Sequence, residues 1–110
     1  DILENILNNL IDNALKYCDA PQKEIILGAR QLKGSVFISV RDNGSCISKH
    51  DQKLIFDKFY RIPSLGETHD VRGHGLGLFI VRELVESLEG TVVYKPGENG
   101  HEFIITLPHA

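Results

Sequence analysis

The chain predicts an α+β fold on three observations. An apolar stripe at helical spacing occupies its first residues, runs of β-branched residues meet at a short turn, and a second apolar stripe precedes two more strand-like runs. Ile2, Leu3, Ile6, Leu7, Leu10, Ile11, Ala14 and Leu15 recur every three or four positions, so residues 1–18 form an amphipathic helix that Pro21 helps to end. Residues 24–32 and 35–42 read as antiparallel strands joined at Lys33-Gly34. Beyond the turn Asp42-Asn43-Gly44-Ser45, Ser48 is placed to cap a short helix over 49–56, with Ile47, Leu54 and Ile55 as its apolar contacts. Residues 61–72 are polar, contain Pro63, Ser64, Gly66, Thr68 and Asp70, and have no period, as expected of a loop long enough to be a lid. A second helix over 75–88 turns Leu78, Val81, Leu84, Val85 and Leu88 inward. Strands over 91–95 and 102–107 flank the turn Pro96-Gly97-Glu98-Asn99-Gly100.

Composition narrows the function. At 110 residues and 42% hydrophobic, the chain reads as one globular domain able to bury a core without staples. A net charge of -3 argues against nucleic acid or an anionic membrane surface as partner. Cys18 and Cys46 make no disulfide framework, and no His/Cys cluster has zinc-ligand spacing, so a reducing compartment is expected. No stretch approaches the roughly 20 apolar residues of a membrane span, and no signal-peptide pattern opens the chain, which reads as an excised domain.

Three groups of residues suggest chemistry. Gly73-His74-Gly75-Leu76-Gly77-Leu78 opens an apolar run; alternate glycines let a backbone approach a phosphate, and the following helix directs free N–H groups at that anion. The same run also suits a mobile loop that ends in a helix start. Asn9 and Asn13 lie one above the other on the first helix, with Lys16 on their stripe and Tyr17 close to the apolar side. An amide oxygen can coordinate Mg²⁺, an ammonium can neutralise phosphate and a ring can stack on a base. Alternatively these residues solvate an exposed face, although four asparagines among residues 5–13 ask for a reason in a helix they disfavour. Asp42, at a strand end before Asn43-Gly44, is either an ordinary turn-opening aspartate or an acceptor for an exocyclic amine such as that of adenine.

In order, these segments resemble the four boxes of sensor histidine kinases. Asn9-Leu10-Ile11-Asp12-Asn13-Ala14-Leu15-Lys16-Tyr17 looks like the N box, and Asp42-Asn43-Gly44-Ser45-Cys46-Ile47 like the G1 box. Ile55-Phe56-Asp57-Lys58-Phe59-Tyr60-Arg61 looks like the F box, and residues 73–78 like the G2 box. Gly100 followed by Phe103-Ile104-Ile105-Thr106-Leu107-Pro108 is similar to the family's last strand, so the resemblance covers essentially the whole chain.

The resemblance implies the catalytic and ATP-binding domain of a two-component kinase, with the Bergerat fold shared with gyrase-type, chaperone-type and mismatch-repair ATPases. That fold is a two-layer sandwich, helices on one face of a mixed, mostly antiparallel sheet, with an ATP lid. Carried over, Asn13 holds Mg²⁺ and Asn9 supports the phosphates or the metal's water shell. Lys16 faces phosphate, Tyr17 faces adenine, Asp42 accepts from adenine N6, Gly44 gives the base room and Ile47 lines the pocket. Arg61 is the candidate γ-phosphate contact, Arg72 a second one from the lid, and Gly73, Gly75, Leu76, Gly77 and Leu78 cradle the triphosphate. Phe56 and Phe59 pack the base of the lid or the surface used by the histidine-bearing helices.

Hydrolysing relatives carry a glutamate four residues before the metal-binding asparagine, where this chain has Asn9. An amide cannot act as a general base, so the γ-phosphoryl group is kept for another nucleophile, a histidine on a separate dimerisation domain. None of the five histidines here is read as that acceptor. The implied partners are therefore that domain and, indirectly, a response regulator. The fragment is expected to be a cytoplasmic monomer, and its parent a homodimer that an inner-membrane anchor would suit. Two departures stand out. Cys46 occupies the place of a second G1 glycine, so weaker nucleotide binding is expected. His101 and Glu102 stand where small hydroxyl residues are common and are read as peripheral. A degenerate interaction module and an ATP hydrolase of the same fold are the competing readings.

Overall fold

The computed structural model describes residues 1–58 and 76–109, apart from the side chain of Leu76. Residues 59–75, which include the expected lid, lie outside the described residues.

Helix α1 spans Ile2–Tyr17. The carboxylate of Asp1 caps it by accepting the Glu4 N–H at 2.8 Å, and the Cys18 N–H closes its other end on the Ala14 carbonyl. Ile6, Leu10 and Ala14, four residues apart, form its buried stripe. Ile2, Leu3 and Leu15, expected on that stripe, are instead exposed at its margins.

Strands β1 (Ile25–Leu32) and β2 (Ser35–Asp42) form the expected hairpin, with Leu32 opposite Ser35 across Lys33-Gly34 and Gly34 at φ +74°. Helix α2 covers only Lys49–Gln52. The helix expected to reach residue 56 stops because the Leu54 N–H turns to the Asp51 carbonyl, three residues back, and the Asp57 N–H likewise to Leu54. This tightened segment still drives Ile55 into the core. Helix α3 spans Leu76–Ser87 and leads to β3 (Thr91–Gly97) and β4 (Gly100–Pro108). Only Glu98-Asn99 links these two strands, because Gly97 pairs with Gly100. The expected five-residue turn is thus two residues long. Pro96 belongs to β3, an edge strand, where a missing N–H is tolerated.

The sheet order is β1-β2-β4-β3, and all three pairings among the described strands are antiparallel. Alternate residues Val40, Phe103 and Ile105 face Ile6 and Leu10 of α1 and Val81 and Val85 of α3. The alternate positions leave Ile26, Leu32 and Val93 half-exposed, so the described helices and sheet form two layers. Ile105 is fully buried at the centre. Ile105→Val is expected to cost about 1 kcal/mol in denaturant unfolding, the usual result of removing one core methylene.

Candidate functional site

The two stacked asparagines of α1 meet the start of α3. The amide Nδ2 of Asn13 is buried and has no hydrogen-bond partner. A Cβ added at Gly77 would crowd that nitrogen at 3.3 Å and meet Oδ1 of Asn9 at an ordinary 3.8 Å, so glycine keeps the space over the Asn13 amide open. Asn9 is held by its own helix, its Nδ2 donating to the Asn5 carbonyl at 2.8 Å. Asn5 and Asn8, by contrast, are exposed, and solvation accounts for them. An orphaned buried amide costs on the order of 1–3 kcal/mol, which a ligand can recover. As placed it offers an N–H to an anion, and a half-turn would offer its oxygen to a cation.

Asp42 lies at the end of β2, buried to 8% exposure. Its Oδ1 accepts the Gly44 N–H at 2.7 Å and faces His101 Nε2 at 3.0 Å. A Cβ on Gly44 would come within 2.9 Å of that oxygen and 3.1 Å of the Cys18 Cα, which restricts this place to glycine. Burial pushes the Asp42 carboxyl upward, but the hydrogen bonds from His101 and Gly44 outweigh it and the net shift is downward.

The sign of the pH effect follows. Asp42 contributes stability above its ordinary value of 3.8, and loses it as pH falls through the lower folded value. Urea midpoints of the wild type are expected to fall steeply below about pH 4. Asp42→Asn should flatten that acid limb.

His101 sits directly opposite Asp42 in the β2–β4 register. It was expected to be peripheral; the antiparallel pairing makes it part of the Asp42 environment. Its Nδ1 lies 2.6 Å from the Tyr94 hydroxyl, which accepts the Ile47 N–H at 2.7 Å. Burial, with Cys46 and Asp42 nearby, pushes the Tyr94 hydroxyl up to about 12 against the opposing Ile47 N–H, so it stays protonated. Ile47 is half-buried against the core and is held through its backbone.

The Cys46 thiol is directed to the Gly97 and Gly100 carbonyls, each at 3.3 Å, so its sulfur braces the β3–β4 hairpin. Phe56 packs edge-on against Phe103 at 6.1 Å and belongs to the core margin. Lys16, Tyr17 and Leu78 are half-buried. Arg61, Arg72, Gly73 and Gly75, together with Phe59, lie outside the described residues, as does the side chain of Leu76. An open hollow of about 610 Å³ borders Gly44 but is edged by Asp19 and Glu98. Asp19 is held ionised by the Ser45 hydroxyl and N–H, at 2.6 and 2.8 Å, so this hollow disfavours a polyanion.

Among the described residues, helices layered on one face of a four-stranded antiparallel sheet, with paired asparagines against a glycine at a helix start, define a domain of the Bergerat class. The chain belongs to the family described as histidine kinase-, DNA gyrase B-, and HSP90-like ATPases, which matches residues 1–110, and its relatives place it with the sensor histidine kinases. Sensor protein RprX of Bacteroides fragilis is 41% identical over 109 residues, covering 96% of this chain and 21% of RprX. Sensor protein CiaH of Streptococcus pneumoniae is 37% identical over 94 residues, covering 86% and 21%. The catalytic domain of histidine kinase ThkA aligns with a TM-score of 0.80 at 28% identity, covering 97% of this chain and 66% of that one. Full-length ShkA in complex with AMPPNP aligns at 0.78 and 32%, covering 99% and 22%. The chain therefore spans about a fifth of the length of the curated relatives named. No helix among the described residues is long and apolar enough to cross a membrane.

Proposed function

We propose that residues 1–110 form a single catalytic domain that binds Mg-ATP and donates its γ-phosphoryl group to a histidine on a separate dimerisation domain. The observation that supports this most is the buried, unpartnered amide of Asn13 beneath Gly77, flanked by Asn9. The complex of ShkA with AMPPNP supports the same reading, at 32% identity over 99% of this chain. Asn13 would hold Mg²⁺, which when bound neutralises phosphate charge. Asn9, Lys16 and Arg61 would serve the phosphates, with Arg72, Gly73, Gly75, Leu76, Gly77 and Leu78 closing around them. Tyr17, Asp42, Gly44 and Ile47 would receive adenine.

Asn9 has no basic group, so water near the γ-phosphate is not activated and transfer to an imidazole is favoured over hydrolysis. The parent would act as a cytoplasmic-facing homodimer upstream of a response regulator. Cys46 is expected to weaken nucleotide affinity without abolishing it.

Calorimetric titration of ATP with and without Mg²⁺ tests the binding step. Asn13→Ala is expected to lose about tenfold in affinity with Mg²⁺ present, the size of one charge-assisted contact, and to change little without it. Equal affinities for wild type and variant under both conditions would overturn the role of Asn13. Phosphate transfer to a supplied dimerisation domain then tests the kinase step, and fast turnover of ATP by the domain alone would favour a hydrolase.

A further inference from the structure

The antiparallel register brings together residues that the sequence keeps 59 positions apart: Asp42 on β2 faces His101 on β4, and Tyr94 on β3 reaches the far side of the imidazole. The hydrogens along this chain run in one direction. A backbone N–H can only donate, so the Ile47 N–H fixes the Tyr94 oxygen as its acceptor. At the other end an ionised Asp42 can only accept, so the hydrogen it shares with His101 sits on Nε2. In a neutral ring Nδ1 is then bare and takes the Tyr94 hydroxyl hydrogen. The Tyr94 and His101 rings also pack edge to face at 5.3 Å, and the imidazole is nine-tenths buried, which holds it in this orientation.

We propose that His101, braced by Tyr94, is a positioning residue that keeps Asp42 a hydrogen-bond acceptor only, and so makes the site select a purine with a 6-amino group over one with a 6-oxo group. The inference rests on the nucleotide reading above. With Oδ1 engaged by the Gly44 N–H and by His101, Asp42 meets a ligand mainly through its other oxygen. An ionised carboxylate attracts an amine and repels a carbonyl oxygen. Without the His101 donor, a buried carboxyl more readily takes up a proton, turns, and donates to that same carbonyl. Discrimination between the two bases then collapses even where triphosphate binding persists.

The test compares ATP with inosine triphosphate on the intact domain by calorimetry. Wild type is expected to favour ATP by on the order of a hundredfold, the range of a hydrogen bond to a charged group combined with a repulsive mismatch. His101→Leu should reduce that ratio to tenfold or less. His101→Gln, which returns an N–H donor, should restore most of it, and Tyr94→Phe should give an intermediate loss. Unchanged ratios in both His101→Leu and Tyr94→Phe would overturn the proposal; if His101→Leu does not fold, Tyr94→Phe decides alone. Nitrogen NMR of the imidazole supplies a readout independent of nucleotide, with the Nε2–H tautomer expected and an Nδ1–H tautomer overturning the relay. A wild type that binds neither nucleotide while showing the Nε2–H form would sink the nucleotide reading and, with it, the selectivity, leaving only the relay.

Discussion

Asp42→Ala is expected to weaken ATP binding by about a hundredfold or more, the largest single loss at the site. A neutral donor on a buried carboxylate is worth about 1.5–3 kcal/mol, and removal of the carboxylate also leaves the Gly44 and His101 donors facing a void. Asp42→Asn keeps the shape and an oxygen for the Gly44 and His101 donors but puts an amide NH2 where the ligand's amino group needs an acceptor; it should lose nearly as much. Calorimetry checks both variants, and near-wild-type affinity in either would remove Asp42 from the base pocket. Circular dichroism alongside separates lost binding from lost fold.

The largest loss of stability is expected from Gly100→Ala. Gly100 has φ +144°, a region that side chains rarely adopt, and a Cβ there would overlap the Asp42 carbonyl oxygen and stand 3.1 Å from the Asn43 Cα. Both obstacles are backbone, so neither can swing away. Strain and overlap together should cost about 3 kcal/mol or more, lowering the melting temperature by roughly 12 °C or more in a domain of this size. The substitution pushes β4 off the end of β2, so whatever protein stays folded should also bind ATP poorly. A thermal midpoint within a few degrees of wild type would show that the β2–β4 junction relaxes more easily than its spacing suggests.

How much of this was legible in the sequence depended on the distance over which each signal acts. Helix α1 and the β1–β2 hairpin were readable almost to the residue, because the 3.6-residue and two-residue periods and the Lys33-Gly34 turn are local. The β3–β4 turn was misjudged because Pro96 reads as a breaker, while on an edge strand its missing N–H faces away from the ladder. Asn9 and Asn13 were visible as a stripe, but their meeting with Gly77 is a contact between helices far apart in sequence. His101 could not be assigned to Asp42 without knowing that β4 pairs with β2 in the register that puts the two opposite. The strand run of β4 was visible, and its partner strand was not.

Asn43, beside Asp42, invites a role in recognition, yet its side chain is already occupied. Its Oδ1 accepts from the Cys18 thiol at 3.3 Å and from the Glu24 N–H at 2.9 Å, while its Nδ2 donates to the Gln22 carbonyl at 2.9 Å. The amide thus ties the end of α1, the approach to β1 and the exit of β2 into one knot. Variation at this position would register first in the amide exchange of residues 18–24, as local opening of the segment behind the site, and only afterwards in anything the domain binds.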